Sequence, residues 1–522
     1  MIVDNDLLSM QHARIIAENA FEAQKKLASF PQEKLDELVE CVADAVAPHA
    51  RDLAVMSHEE TDYGRWQDKL TKNRFVCGQV RQRLRGMRCV GVIGEDRPNR
   101  LMDIGVPVGV VLALCPATSP VSTTIAKTLI ALKSGNAILF SPHPRAEKSI
   151  RRVLALMVEA AQSRGLPEGC LACLHPVTRS GTLELMHHKA VSLIMITGVP
   201  GMLQAARDAG KPFIYGGTGN GPAFIERTAD VRQAVSDIVA SKTFDHGIAS
   251  SAEQSIVVDA CIEPEVRRAL KDHGAHFMSE EESQKLAALF CPNQRPNTGV
   301  IGLPATVLAR KAQFAVPEDA TVLIAERKFV SDADPYSREM HAPVLSYYVE
   351  DDWMHACEKC IELLLNERSA HTLVIHSHDE EVIRQFALKK PVGRLLVNTP
   401  ATFGGMGATT NLFPSMTLGS GCAGYGITSD NVSPMNLIYI RKVGYGVREM
   451  PAMDAGMPGA GTPDDGMLRS RKSMPMDGGL TAAAMQRAAK NVPLDSESSP
   501  GMDALRQILT EVIQAMNNPA KR

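Results

Sequence analysis

The sequence predicts an α/β fold with two parallel-sheet domains, and three observations carry that prediction. Short, near-continuous apolar runs alternate with amphipathic stretches over most of the chain, as expected of parallel strands covered on both faces by crossover helices. At 522 residues the chain exceeds what one hydrophobic core holds, so two or three domains are required. The alternation is interrupted once, at residues 241–255, by a glycine and a run of small side chains, after which a second series begins.

Taken in order, residues 1–100 read as mainly helical. After Pro31, Leu35, Leu38, Val39, Val42 and Val46 recur at helical spacing, with Ser29 as the helix start. Between residues 108 and 216 the runs VGVVLALCP, NAILFSP, CLACLHP, VSLIMITG and FIYGG read as strands. Helices over 123–132, 146–164, 182–188 and 202–208 separate them, and this half is expected to bind a nucleotide. The second series runs through SIVVDA, helices at 263–273 and 280–289, the strands TVLIAE, VLSYYVE and HTLVIHS, and a helix at 379–388. It returns through RLLVNTP to NLIYIRKV. The expected domains are therefore 1–240 and 241–431. Residues 449–479 are crowded with Gly, Pro, Asp and Met and read as a linker. In the tail, 480–522, the residues Leu505, Ile508, Leu509, Val512, Ile513 and Met516 place one apolar stripe along an amphipathic helix at 503–518.

Composition narrows the function classes. A hydrophobic content of 44% with 22% charged residues is that of an ordinary soluble protein. A net charge of −3 gives no reason to expect nucleic acid or an anionic membrane as partner. The opening MIVDNDLLSMQHARII lacks a basic segment followed by an apolar core, and no apolar run reaches membrane-spanning length, so a cytoplasmic location is expected. The 11 cysteines, an odd number, read as reduced thiols. Cys170 and Cys173, like Cys357 and Cys360, have CxxC spacing without a second pair; they read as buried thiols, and no metal site is expected.

Three turns are placed where an anionic ligand would meet them. FSPHPRA, with Ser141, Pro142, His143 and Pro144, follows a strand and precedes a helix, where phosphate meets helix N–H groups. ITGVPGM, with Thr197, Gly198 and Gly201, and YGGTGNGPAF, with Gly216, Gly217 and Gly219, add glycine turns that permit close backbone approach. Each alone is an ordinary strand-to-helix turn; the ordered set favours NAD(P). The small-residue stretch SKTFDHGIASSAEQS reads as a further site. Within it Ser250 has two readings. Ser250 and Glu253 fit an S-x-x-E cap, and His246 is the nearest base in sequence for a serine nucleophile.

In their order these motifs resemble those of the CoA-acylating aldehyde dehydrogenases, including the aldehyde dehydrogenase half of the bifunctional aldehyde/alcohol dehydrogenases, across residues 10–445. The family's nucleophile loop runs F-D-N-G-x-x-C-A-S-E-Q; Phe244, Asp245, Gly247, Glu253 and Gln254 match, and Ser250 stands at the cysteine. The resemblance implies the aldehyde dehydrogenase fold, with two α/β domains and an oligomerisation ribbon from 95–106 and 432–446, forming a homo-oligomer, a dimer or tetramer. It also implies NAD as cofactor, with NADP left open, CoA as cosubstrate and a short aldehyde as substrate. Gly216 or Gly217 stands where hydrolytic relatives place a water-activating glutamate, which implies CoA as acyl acceptor. Glu339, in YSREMHAP, matches a glutamate near the nicotinamide ribose. His371, in SAHTLVIHS, matches a histidine of the acylating subgroup near CoA and the active-site entrance.

Two departures touch the chemistry itself. In the relatives' loop P-x-T-N-P-x-S-T the Asn amide helps form the oxyanion hole; here CPATSPVST puts Ser119 in its place. A cysteine is readily poised as thiolate, whereas a serine hydroxyl needs a base beside it. Loss of one oxyanion donor costs roughly 10²–10³ in rate. Two functions follow: a CoA-acylating aldehyde dehydrogenase with an altered nucleophile, or a catalytically silent nucleotide-binding pseudoenzyme with an assembly role. Cys115 and Cys422 are the substitute thiols, both read as inert. The tail resembles the encapsulation peptides of bacterial-microcompartment enzymes, which implies a shell or cargo protein as partner and a location inside such a compartment.

Overall fold

The computed structural model of the chain describes residues 4–292, 295–367 and 371–447. Asp4 accepts the N–H groups of Asp6 and Leu7, opening a helix over Asn5–Leu27 that buries Ala13, Ala17, Ala20 and Leu27. The helix Gln32–Val46 buries Leu35, Leu38, Val39, Val42 and Val46, as their spacing predicts. Its cap is Pro31 rather than Ser29, whose hydroxyl donates back to the Lys26 carbonyl at 2.7 Å. Proline supplies the fixed φ and has no N–H to satisfy.

Strands β1 (Gly91–Asp96) and β2 (Leu101–Pro107) form an antiparallel hairpin. The next strands are β3 (Val110–Leu114), β4 (Ala137–Ser141), β5 (Leu171–Cys173), β6 (Val191–Thr197) and β7 (Phe213–Gly216). They make one parallel sheet in the order β5-β4-β3-β6-β7. Every residue of β3 and β4 is buried, which accounts for their unbroken apolar runs. The chain builds outward from β3 to β5, then crosses back to β6. Past the carboxyl edge the chain runs from β3 to one side and from β6 to the other, and such a switch point is where open α/β sheets bind ligands.

The second sheet contains β8 (Gly221–Ile225), β9 (Glu253–Asp259), β10 (Ala275–Phe277), β11 (Val322–Glu326), β12 (Val344–Glu350), β13 (Thr372–His376) and β14 (Arg394–Val397). All are parallel, in the order β10-β11-β12-β9-β8-β13-β14. This sheet takes in β8, ahead of the boundary drawn at residue 241. A β-carbon at Gly221 would lie 2.4 Å from the Thr372 carbonyl, so this glycine is a strand residue under close backbone approach. Strand β10 is too short to stand out by pattern. Helices follow at Glu263–Asp272, Glu280–Phe290 and Glu380–Lys389, the last capped by Asp379.

Strand β15 (Ile438–Gly444) pairs antiparallel with β2, so the segments near 95–106 and 432–446 meet in one three-stranded sheet, β1-β2-β15. Cys170, Cys357 and Cys360 are buried free thiols and Cys173 is partly buried. Among the described residues no helix is long and apolar enough to cross a membrane. The unit ending at Gly444 contains all three sheets. The expected linker at 449–479 and the helix at 503–518 lie outside the described residues.

Candidate active site

The helix Val231–Thr243 ends in a turn, Phe244–Gly247, whose last three residues are all left-handed: Asp245 at φ 50°, His246 at 54° and Gly247 at 73°. For the two non-glycine residues this costs about 1–2 kcal/mol each. A buried ion cluster holds the turn. Asp245 Oδ1 accepts the Arg65 N–H at 2.6 Å, while Oδ2 accepts from Lys72 Nζ at 2.5 Å and Lys69 Nζ at 3.2 Å. Burial disfavours the Asp245 carboxylate, but Lys72 and Lys69 outweigh it and hold its pKa below the ordinary value. The approach is so close that a β-carbon at Gly64 would lie 1.9 Å from Asp245 Oδ1.

Beyond this turn, the Ser250 hydroxyl lies 3.2 Å from His371 Nε2. His371 Nδ1 is 2.7 Å from Thr372 Oγ1. Behind them Arg394, at the start of β14, donates from Nη1 to the His371 carbonyl at 2.9 Å and to Thr372 Oγ1 at 3.3 Å. Its Nη2 reaches the carbonyls of Gly419 and Ser429. Burial first, and the Arg394 charge second, push the His371 pKa well below 6.5, so the ring is neutral at neutral pH.

Both local readings of Ser250 give way to this contact. Glu253 does not return to cap Ser250: it is a buried residue of β9 whose Oε1 accepts the Ala401 N–H at 2.8 Å. His246 turns elsewhere, its Nδ1 lying 3.0 Å from the Gly302 carbonyl.

Ser119 precedes the helix Pro120–Lys133, and its hydroxyl accepts from Lys72 Nζ at 2.8 Å. An oxygen that accepts from an ammonium keeps its own hydrogen to donate. Lys72 thus ties the Ser119 loop to the Asp245 turn, and Lys69 Nζ reinforces the tie by donating to the Thr118 carbonyl at 3.0 Å.

The glycine turns and their neighbours lie at carboxyl ends of strands. Ser141 ends β4, with Oγ 2.8 Å from Thr182 Oγ1; after Pro142, His143 accepts the Arg145 N–H at 3.1 Å and so caps the short turn Pro144–Ala146. Thr197 ends β6, its Oγ1 2.9 Å from Thr417 Oγ1. A β-carbon at Gly198 would lie 2.9 Å from Pro116 Cβ, so the turns after β6 and β3 meet at the switch point. Around Gly201 the space is open. Gly216 ends β7, packed on Thr417 and Leu418, and Gly217 is buried beside it. Gly219 is decisive for the layout: a β-carbon there would lie 1.7 Å from the Ser250 carbonyl and 2.8 Å from Glu339 Oε1. The third turn, Ser250, His371 and Glu339 therefore share one place. The Glu339 side chain is buried, its pKa raised well above the ordinary carboxylate value by that burial. Its Oε2 lies 3.4 Å from His341 Nε2, and Oε1 has no hydrogen-bond partner among the described residues.

The aldehyde dehydrogenase family profile matches residues 3–296. The chain belongs to the aldehyde dehydrogenase family. An acetylating aldehyde dehydrogenase from Geobacillus thermoglucosidasius is 41% identical, with a TM-score of 0.84 over 86% of this chain and 100% of that one, and the α/β architecture is thus the aldehyde dehydrogenase fold. The aldehyde-alcohol dehydrogenase of Streptococcus pneumoniae is 37% identical over 403 residues, which are 75% of this chain and 46% of that protein. The chain thus spans about half the length of that aldehyde-alcohol dehydrogenase. A propionaldehyde dehydrogenase from the fucose utilisation bacterial microcompartment of Clostridium phytofermentans is 26% identical, with a TM-score of 0.75 over 82% of this chain and 96% of that one.

Sequence reading missed Lys69, Lys72, Thr372 and Arg394. The lysines had a signal: in the helix Trp66–Phe75 the buried positions are Lys69, Lys72, Asn73 and Phe75, one face by spacing. A charged residue on the inward face of a helix marks a buried partner. Another is Lys242, fully buried with Nζ 3.0 Å from Gln254 Oε1, its pKa brought down to about 7 by burial. The substitute thiols are poorly placed. Burial raises the pKa of Cys115, and Cys422 sits exposed in the short turn Cys422–Gly424.

Proposed function

We propose that this aldehyde dehydrogenase is CoA-acylating, converting a short aldehyde, CoA and NAD to acyl-CoA and NADH, with Ser250 in the nucleophile's place. NADP is the alternative cofactor. The observation that carries this reading is the 3.2 Å contact between Ser250 and His371, seated against Gly219 and Glu339. The residues present fit a dinucleotide. Glu339 offers a buried carboxyl group beside Gly219, suited to a ribose hydroxyl. Ser141, Pro142, His143 and Pro144, with Thr197, Gly198 and Gly201, would hold phosphates and ribose at the switch point. The nicotinamide ring, when bound, supplies the hydride acceptor.

The chain's own residues do the rest. His371 takes the Ser250 proton as the hydroxyl adds to the aldehyde carbonyl. Ser119 donates to the developing oxyanion, its O–H polarised by Lys72. With CoA in excess, the acyl group left on Ser250 then passes to the CoA thiol, and Gly216 and Gly217 add no second base for water beside His371. Relatives named acetylating and aldehyde-alcohol dehydrogenases support this reaction class.

A second reading is a catalytically silent, nucleotide-binding pseudoenzyme with an assembly role; the joint presence of Ser250 and Ser119 favours it. The test is acyl-CoA-dependent NADH oxidation by the purified chain beside S250C and S250A. A slow wild type, a faster S250C and an inactive S250A are expected. Turnover undiminished in S250A would overturn the nucleophile assignment, and wild-type inactivity with intact NADH binding would favour the silent reading.

We assign nucleotide binding to the domain of the first sheet and catalysis to that of the second, so the boundary expected at 240/241 moves ahead of β8. The three-stranded sheet exposes Val92, Leu101, Tyr439 and Ile440, an apolar surface suited to a dimer or tetramer contact. The Gly/Pro-rich stretch at 449–479 and the apolar stripe at 503–518 would carry the enzyme into a bacterial microcompartment by binding a shell or cargo protein. The microcompartment origin of the C. phytofermentans relative supports that location within the cytoplasm.

A further inference from the structure

Resting on the acyl-CoA reading above, the geometry points to a second activity at the same site: hydrolysis of acyl-CoA with no redox step, Ser250 acting as nucleophile and His371 as base. The arrangement has the three parts such chemistry needs. A hydroxyl lies 3.2 Å from an imidazole nitrogen, and a third group orients that imidazole from behind, Thr372 Oγ1 at 2.7 Å from Nδ1. With the Nδ1 hydrogen given to Thr372, Nε2 presents its lone pair to Ser250. Arg394 fixes the frame, bonded both to the His371 carbonyl and to Thr372 Oγ1.

The change of element at position 250 gives the chemistry a direction. A thioester carbonyl is less resonance-stabilised than an oxygen ester, so acyl transfer from CoA to a serine runs downhill and its return to CoA runs uphill. A cysteine would exchange one thioester for another at little net change. The acyl-serine therefore outlasts the thiol's departure, and water becomes the acceptor that completes turnover. The glycines at 216 and 217 do not prevent this, because His371 remains beside the ester to take a proton from water.

The atoms balance. Ser250 Oγ bonds the thioester carbon as its proton passes to His371 Nε2; the C–S bond breaks and the CoA sulfur leaves with that proton. Water oxygen then bonds the same carbon and gives a proton to His371, the C–Oγ bond breaks, and Ser250 recovers the proton. Acyl-CoA and water become a carboxylic acid and CoA, and no electrons change hands.

The experiment incubates the full chain with acetyl-CoA and propionyl-CoA, with and without NADH, reading thiol release, NADH oxidation and the mass of the Ser250 peptide after acid quench. Thiol release without NADH is expected, lowered about 100-fold or more in S250A and in H371N, with an acyl ester on the Ser250 peptide of the wild type. In T372V kcat should fall with KM unchanged, and T372S should restore it. In S250C the ratio of thiol released to NADH consumed should fall. Thiol release occurring only in step with NADH consumption would overturn the hydrolysis and leave the dehydrogenase standing. Thiol release that survives S250A would also overturn it, and inactivity in both assays would overturn both.

Discussion

The two sides of the site are built in different ways. The proposed cofactor side consists of turns at the carboxyl ends of β4, β6 and β7, each formed by residues adjacent in sequence. The chemical side is assembled across the chain: Ser250 meets His371 from 121 positions away, and Lys72 meets Asp245 from 173. Local turns depend on glycine and on strand ends. The chemical side depends on buried charge, and its failure modes should be those of buried charge.

That contrast is broken most severely at Asp245. In D245A the ammonium groups of Lys69 and Lys72, both buried, would lose their shared carboxylate, and the left-handed turn would lose its tether. Removing one partner of a buried ion cluster costs about 3–5 kcal/mol, so urea unfolding should show a loss of that size, with Ser119 chemistry lost alongside. D245N would restore part of the packing but not the charge. A variant as stable as wild type would mean that the turn holds itself, and the two sides would then be built alike.

A smaller effect follows from His371. Its pKa lies well below 6.5 when folded, because of burial and then Arg394, and returns to the ordinary value when the chain unfolds. Below pH 6.5 the unfolded chain binds the proton and the folded chain does not, so the stability present above 6.5 is lost as pH falls toward the folded value. The loss is about 1.4 kcal/mol per pH unit for one such group. Denaturation midpoints measured from pH 7.5 down to 5 should fall less steeply in H371N than in wild type; equal slopes would show that His371 is not held neutral. Thr372 and Ser250 meet the two ring nitrogens, and Arg394 bonds the His371 carbonyl and Thr372 Oγ1.

What could be read in advance follows the same division. The strands of the first sheet are legible because apolar runs and their flanking glycines are local, and so are Thr197 and Gly198. Ser250 is legible as a position but not as a partner: sequence proximity offered Glu253 and His246, and both are drawn off, to Ala401 and Gly302. Strand β8 was hidden because it follows directly on the glycine-rich turn and opens with Gly221, a residue kept for close backbone approach. Lys69 and Lys72 carried a signal only through the spacing of buried positions on their helix. Arg394 carried none, since its partners are mostly carbonyls that any residue supplies.

The smallest effect sharpens the contrast from the cofactor side. Gly201 has no atom within 4 Å of where a β-carbon would stand, and its φ is not among the left-handed ones. Alanine there meets no clash and no strain, so the folded chain should keep its stability to within about 0.5 kcal/mol. Gly198 is the control: at φ 61°, with Pro116 Cβ 2.9 Å from a β-carbon, alanine is strained and should destabilise by about 1–3 kcal/mol. If the open space at Gly201 is kept for a dinucleotide, G201A should weaken NADH binding several-fold by calorimetry while its melting temperature stays that of wild type. Unchanged affinity would remove Gly201 from the cofactor site and leave the other turns to carry it. A loss of stability would mean that this turn, too, is held by contacts from elsewhere in the chain.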